Sequence, residues 1–264
     1  MYAFNYHRPS STEEAVKLAG ADADAVFLAG GQTMIPTLKL RLANPSAVID
    51  VAGIKGLDDI KLTADSVKIG AAVTHAEVAA SAEIAKAIPA LSELASLIGD
   101  AQVRNRGTIG GSIANADPAA DYPAAVVGLG ATIVTDRRQI AGDDFFTGLF
   151  ETALEPGELI VSVSFPIPLG AAYQKFANPA SGYAIVGVMV AKTSGGVRVG
   201  VTGAGPAAYR ATAIEAALSG TFSADSAKSV GVSADGLNSD LHATAEYRAS
   251  LVGTLAARAA ASLG

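Results

Sequence analysis

Two glycine doublets are the residues of this sequence best suited to bind a ligand. One lies in residues 28–33 (LAGGQT) and the other in residues 108–112 (TIGGS), and a small hydroxyl residue follows each doublet. A backbone that approaches an anionic ligand closely needs residues without a Cβ, free N–H groups and a hydroxyl that can donate. Two such segments in one chain predict a ligand with an extended polyphosphate that is gripped from two sides.

The surroundings of the first doublet exclude the two commonest nucleotide motifs. It fits neither the Rossmann pattern G-x-G-x-x-G nor the P-loop pattern G-x-x-x-x-G-K-[ST]. A helix predicted just beyond it favours an anion site, because a helix begins with unpaired N–H groups. The alternative interpretation is a pair of ordinary tight turns without any ligand.

Charged residues near the second doublet each allow more than one interpretation. Asp117 and Asp121 follow it, and a phosphate would repel both carboxylates, so a cofactor hydroxyl is the contact that we expect of them. The alternative is that they cap turns. Arg104 and Arg106 precede the doublet and could neutralise phosphate charge, lie in solvent or contact a neighbouring subunit.

No complete hydrolytic or metal-binding constellation is present. His75 follows Thr74 without a Ser, Cys or Asp in motif relation to it, so we predict a histidine at a helix start with a structural hydrogen bond. Tyr183 suits stacking on an aromatic ligand ring or, alternatively, a place at the edge of a strand.

Hydrophobic periodicity predicts the elements that position these residues. A strand at 26–29, a helix at 33–43 and a strand at 47–50 form a compact βαβ unit around the first doublet. Between this unit and residue 170 we predict strands at 67–71, 131–134 and 159–165, helices beginning at Thr74 and Pro89, and a polar, turn-rich stretch at 115–123. Beyond residue 170 we predict strands at 172–176, 184–192 and 197–202, followed by helices at 212–218, 224–229 and 243–261. Together these elements indicate an α+β fold.

Composition narrows the class of protein. Half of the 264 residues are hydrophobic, and the formal net charge is −6, which argues against nucleic-acid binding because phosphate contacts need clustered Lys and Arg. The chain has no cysteine and three histidines, so it cannot ligate an iron–sulfur cluster through cysteine. Without a signal pattern or a membrane span, a cytoplasmic protein is expected.

Taken together, these motifs resemble the FAD-binding medium subunit of the molybdenum hydroxylases, the family of xanthine dehydrogenase and aerobic carbon monoxide dehydrogenase. The resemblance rests on residues 29–33 with Lys39-Leu40-Arg41 downstream, and on residues 104–112 with the two aspartates that follow. Further matches, in the family's order and spacing, lie at residues 157–160, 173–176 and 183–187. The resemblance covers nearly the whole chain.

The resemblance implies a fold and a set of cofactor contacts. The fold is a two-part FAD-binding domain of the vanillyl-alcohol-oxidase type at residues 1–170, with subdomains at about 1–53 and 54–170. A C-terminal α+β domain with a small antiparallel sheet follows at 171–264. The residues implied to bind FAD are Phe27, Leu28, Ala29, Gly30, Gly31, Gln32, Thr33, Met34, Ile98, Thr108, Ile109, Gly110, Gly111, Ser112, Asp121, Ile160, Lys175 and Tyr183.

The resemblance also implies a function without a catalytic residue in this chain. Electrons leave an organic substrate at a molybdenum cofactor in a large subunit and cross [2Fe–2S] clusters in a small subunit. They reduce the FAD held here, which passes them to NAD, oxygen, a quinone or another acceptor, in an assembly expected to be a dimer of heterotrimers. The alternatives are a stand-alone FAD-dependent reductase of the same fold and a flavin-free structural subunit.

Overall fold

The computed structural model describes residues 1–264, and it contains twelve helices and fourteen strands. The helices are α1 (Thr12–Ala21), α2 (Met34–Lys39), α3 (His75–Ala80), α4 (Ala82–Ala87), α5 (Pro89–Ser96), α6 (Ala101–Arg104), α7 (Ile109–Asn115), α8 (Tyr122–Gly128), α9 (Gly142–Phe145), α10 (Thr212–Gly220), α11 (Ala224–Lys228) and α12 (Ala245–Ala261). The strands are β1 (Asn5–His7), β2 (Val26–Leu28), β3 (Ala47–Asp50), β4 (Ile60–Leu62), β5 (Ser66–Gly70), β6 (Thr132–Thr135), β7 (Gln139–Ala141), β8 (Phe146–Gly148), β9 (Glu151–Thr152), β10 (Ile160–Pro166), β11 (Gly170–Ala177), β12 (Ala184–Thr193), β13 (Gly196–Thr202) and β14 (Tyr209–Arg210).

The first sheet is small and parallel, with the strand order β1-β3-β2. It contains the predicted βαβ unit, since β2 leads through α2 into β3 and the two strands pair in parallel. Helix α2 is shorter than predicted, because it starts at Met34 and stops at Lys39. The carboxyl end of β2 therefore delivers the first glycine doublet directly to the sheet edge.

Two antiparallel sheets follow. The second sheet has the order β4-β5-β10-β6-β7 and the third the order β11-β12-β13-β14, and strands β8 and β9 form a separate hairpin. Helices α10 and α12 cover the third sheet through buried residues such as Ile214, Leu218 and Val252. No helix is both long and apolar enough to cross a membrane.

The largest hydrophobic cluster contains residues from two different sheets. The largest cluster is built mainly from the second sheet and helices α3–α5 and α8, yet it also contains Tyr173, Met189 and Ala191 of the third sheet. The third sheet is further bonded to residues 118–120, for example through the Ala184 N–H to the Ala119 carbonyl at 3.1 Å. The division at residue 170 stays a prediction, and these contacts bind the two parts of the chain tightly.

The structure differs from the sequence prediction most around the second doublet. Residues 109–115 form α7 rather than an open loop, because the Thr108 hydroxyl accepts the Gly111 N–H and caps the first turn. Residues 122–128 form α8, which begins within the turn-rich stretch predicted at 115–123, with Pro123 in its first turn, where a missing N–H costs nothing. The sequence pattern predicts neither helix, because glycine and proline have low helix propensity.

Candidate functional site

One large cavity, of about 790 Å³, lies where the parts of the chain meet. Its walls come from residues 27–34 after β2, from the segment around α7, from the start of β10 and from the loop between β11 and β12. This volume falls in the range that small-molecule and cofactor sites occupy.

The two glycine doublets meet at this cavity. A Cβ on Gly30 would overlap the Arg106 carbonyl, so the first segment crosses the chain just before α7 with no space between the backbones. A Cβ built on Gly111 would lie 3.8 Å from that of Ala29. The two segments therefore form one continuous wall, as the gripping of one ligand from two sides requires.

The first segment presents a row of free donors. None of the backbone N–H groups from Ala29 through Met34 donates to an acceptor within the chain. Gly31 has φ +74°, a left-handed conformation that glycine adopts without strain, and its carbonyl accepts the Ile35 N–H at 3.0 Å. The exposed side chains of Gln32 and Thr33 add an amide and a hydroxyl that bond to no other residue. This segment is suited to hold an anion.

The second segment contributes in a different way. The N–H groups of Ile109 and Gly110 donate to the carbonyls of Val73 and Ala71, at 3.1 and 2.9 Å, and the Gly111 N–H donates to the Thr108 hydroxyl at 3.1 Å. The predicted free N–H groups are therefore absent from this doublet. What the helix presents to the cavity is the Cα of Gly111, which carries no side chain, and a polar face that includes Thr108, Ser112 and Asn115.

Nearly all of the residues selected by the family resemblance line the cavity. Ile98, Ile160 and Tyr183 lie on its walls with the two glycine segments. The exceptions are Ile109 and Lys175. Ile109 is fully buried in the core, so its side chain supports the wall from behind.

Lys175 and Asp121 are bonded to each other. The Lys175 ammonium donates to Asp121 Oδ2 at 2.9 Å and to the Leu97 carbonyl at 3.1 Å. The Tyr173 hydroxyl donates to Asp121 Oδ1 at 2.6 Å. Both oxygens of the Asp121 carboxylate are thus engaged by strand β11, and this buried ion pair connects β11 to the start of α8 at the cavity wall.

His75 begins α3 and lies on the cavity wall, 5% exposed. Its backbone N–H donates to the Gly107 carbonyl at 2.9 Å, but its Nδ1 has no partner, and neither does the nearby Tyr122 hydroxyl. Burial, with a smaller contribution from the Arg104 guanidinium, lowers the pKa of His75 to about 4, so the ring is neutral at pH 7. The predicted structural hydrogen bond is made by the backbone and not by the ring.

No lysine or arginine lines the cavity. Arg104 donates to the carbonyls of Ile98 and Gly99, at 3.0 Å each, and Arg106 is exposed away from the cavity. Asp117 does line it, and its carboxylate accepts the Ala119 N–H at 2.8 Å, which is the turn-capping interpretation of that residue. Any anion bound here would be held by hydrogen bonds from backbone N–H groups.

Sequence reasoning missed several wall residues. Asn115 follows Thr108 by seven positions and would have been found had residues 109–115 been predicted as a helix. Glu158 reaches the wall through a buried carboxylate that accepts from the Arg138 guanidinium at 2.9 Å, and this hydrogen bond lowers its pKa to about 2. No local signal in the sequence pairs Arg138 with Glu158.

Residues 2–168 match the family described as the FAD binding domain in molybdopterin dehydrogenase. The medium subunit of nicotine 6-hydroxylase from Paenarthrobacter nicotinovorans is 36% identical over 202 residues, which are 75% of this chain and 71% of that one. The medium chain of carbon monoxide dehydrogenase from Hydrogenophaga pseudoflava is 37% identical over 220 residues, 78% of this chain and 77% of that one.

Solved structures agree with these relatives. A chain of quinoline 2-oxidoreductase from Pseudomonas putida 86 superposes with a TM-score of 0.90 at 30% identity, covering 98% of this chain and 96% of that one. A chain of carbon monoxide dehydrogenase from Hydrogenophaga pseudoflava gives a TM-score of 0.89 at 36% identity with the same coverage. The predicted α+β fold is thereby confirmed.

Proposed function

This chain belongs to the family of FAD-binding medium subunits of the molybdenum hydroxylases, and from that membership we propose that it relays electrons through FAD within a multisubunit oxidoreductase. It would take electrons from [2Fe–2S] clusters of a small subunit and pass them to an external acceptor. The observation that carries this proposal is the row of unpaired N–H groups from Ala29 to Met34 at the cavity of about 790 Å³.

The glycine wall fits the diphosphate of FAD. Unpaired N–H groups can donate to several phosphate oxygens at once, and the absence of lysine and arginine from the cavity leaves them as its principal donors toward phosphate. The hydroxyls of Thr108 and Ser112 face the same space from the other side. We assign the diphosphate to residues 27–34 and 108–112.

Other lining residues fit an aromatic ring system. Ile98 and Ile160 give the cavity apolar walls, and Tyr183, half-exposed, supplies an aromatic ring. We assign the isoalloxazine ring to these residues. Asp121 lines the cavity, and its hydrogen bond with Lys175 would hold it in place there.

The role of the protein is to position the cofactor. When bound, FAD accepts and returns electrons, and it can exchange them with one-electron and two-electron partners. The chain's residues bind the diphosphate, pack against the ring and limit the access of water. We assign no acid or base catalysis to any of its side chains.

The partners follow from the family membership. The chain has no cysteine to ligate an iron–sulfur cluster, so we place the clusters in a small subunit, and we place the molybdenum cofactor in a large one. NAD, oxygen or a quinone would accept the electrons, and the assembly would be a dimer of heterotrimers in the cytoplasm. The relatives named as medium subunit or medium chain support the multisubunit arrangement.

The experiment that tests this proposal is anaerobic reduction of the complex purified through a tag on this chain. Aldehydes, nitrogen heterocycles and carbon monoxide would be added in turn, and the flavin absorbance followed. We expect one class of reductant to bleach the flavin only when the iron-bearing chain is present. Bleaching by a substrate in the isolated chain would contradict the proposal and favour the stand-alone reductase.

A further inference from the structure

The end of α2 exposes an unusual group of side chains. Leu40 and Leu42 are 70% and 76% exposed, and Lys39 and Arg41 alternate with them on the surface. We call residues 39–42 the Lys39–Leu42 patch. Single exposed leucines are common on proteins, so exposure alone does not explain this group.

The backbone of the patch adopts a conformation that its residue types do not favour. The Arg41 N–H donates to the Leu38 carbonyl at 3.1 Å and the Leu42 N–H to the Thr37 carbonyl at 3.0 Å, which together form a Schellman motif. Arg41 occupies its left-handed position, with φ +59°, where glycine is the usual residue because a Cβ is strained there.

Leu42 also departs from the usual motif. The residue after the left-handed position commonly packs back onto the helix through an apolar contact, whereas Leu42 points into solvent. Glycine at position 41 and a polar residue at position 42 would suit the isolated chain better. Strained, exposed residues that the fold itself does not require mark functional surfaces.

The location of the patch relates it to the cofactor. Thr37 and Ala43, on either side of it in the chain, line the cavity. The Arg41 guanidinium lies 5.5 Å from the centre of the Tyr2 ring, a cation–π contact that holds it at the surface. A protein that covered the patch would therefore lie beside the cavity, where electron transfer over a short distance is fastest.

We propose that the Lys39–Leu42 patch docks the iron–sulfur subunit, and that the complementary surface is an apolar depression rimmed by carboxylates. This inference rests on the proposed function, since it names the surface through which electrons reach the cavity. Lys39 and Arg41 are two cationic side chains in a chain of net charge −6, and they favour a partner surface with an acidic rim. The two leucines supply the desolvated centre that interfaces need.

The test uses the complex purified through a tag on this chain, with iron and FAD measured per chain. The variant Leu40→Glu/Leu42→Glu should keep its FAD and lose the iron-bearing chain, with binding weaker by roughly tenfold or more. The matched control is Leu169→Glu, because Leu169 is 79% exposed in the turn between β10 and β11, and it should keep both. Iron retained in the double variant would overturn the proposal.

Arg41→Gly separates docking from folding. It removes the charge and relieves the left-handed strain, so we expect an unchanged or higher Tm together with weaker retention of the iron-bearing chain. A purely structural Arg41 would leave retention unchanged, and that result would count against the proposal.

Carbodiimide cross-linking identifies the occupant of the patch. We expect Lys39 to join an aspartate or glutamate of a cysteine-rich chain, whereas a link to a second copy of this chain would refute the assignment. If the wild-type complex held iron but no FAD, the proposed function would fail while the docking result, read from iron alone, would stand.

Discussion

At the scale of single residues, the buried pair of Asp121 and Lys175 shows how the walls of the cavity are held. The resemblance to the family implies that both residues contact the cofactor. Their hydrogen bonds to each other, to Tyr173 and to the Leu97 carbonyl already connect three elements. Sequence spacing could not predict this pair, since more than fifty positions separate its members.

Breaking the buried pair should be costly. Because a single substitution leaves an uncompensated charge in the interior, we expect Asp121→Asn or Lys175→Met to lower the free energy of unfolding by about 3–5 kcal/mol. Urea denaturation measures this change. The control is Asp59→Asn, which breaks the exposed pair with Lys61 and should cost less than about 1 kcal/mol; equal costs at the two sites would contradict the account.

His75 should make the stability of the chain depend on pH. The pKa of His75 is about 4 in the folded chain and near 6.5 in the unfolded chain. Between these two values the ring is protonated in the unfolded state and neutral in the folded state. Stability should therefore be complete above pH 6.5 and fall by about 3 kcal/mol as the pH drops to 4. His75→Gln should remove this part of the slope.

The exposed His242 offers the control for this measurement. His242→Gln should leave the fall in stability between pH 6.5 and 4 as it is in the wild type. If His75→Gln retained the full slope, the buried neutral ring would not be its source.

At the scale of secondary-structure elements, hydrophobic periodicity and capping residues predict the helices and strands whose formation depends on local sequence. The strand predicted at 184–192 is confirmed as β12, although its first eight residues are all buried instead of alternating. The predicted helix start at Thr74 is confirmed as well, and Glu77 completes a capping box there. Helix α7 could not be predicted from the sequence, because glycines in a first turn lower helix propensity. The stability of α7 comes from packing against the neighbouring backbone. Strand β14, two residues long, carries no periodic signal at all.

The cap of α7 gives a prediction that separates stability from binding. Thr108→Ala and Ser11→Ala each remove a side chain that caps a helix, at α7 and α1 respectively, and each should cost about 1 kcal/mol of stability. Only the first lies at the cavity, so only the first should weaken FAD binding, measured by fluorescence titration. Thr108→Ser should restore both, and equal FAD affinity in the two alanine variants would argue against a role of Thr108 in binding.

At the scale of the whole molecule, the site exists because remote segments converge. Residues after β2, the segment around α7, the start of β10 and the loop before β12 come from all three main sheets and enclose one cavity. The sequence predicted that both glycine segments bind a phosphate-bearing ligand. It could not indicate that only the first doublet keeps its N–H groups free. The Gly110 N–H donates to the carbonyl of Ala71, which lies far away in the chain, and the Gly111 N–H donates to the Thr108 hydroxyl only because α7 forms.

The FAD bound per chain, measured by absorbance after gel filtration and denaturation, tests the central claim most directly. We expect one FAD in the wild type and in Gly231→Val, whose glycine is exposed in open space. Gly111→Val should lose FAD while keeping its helical circular dichroism, because its branched side chain would enter the space of the diphosphate. A colourless wild type that gains no flavin on incubation with FAD, or Gly111→Val with full FAD content, would contradict the account.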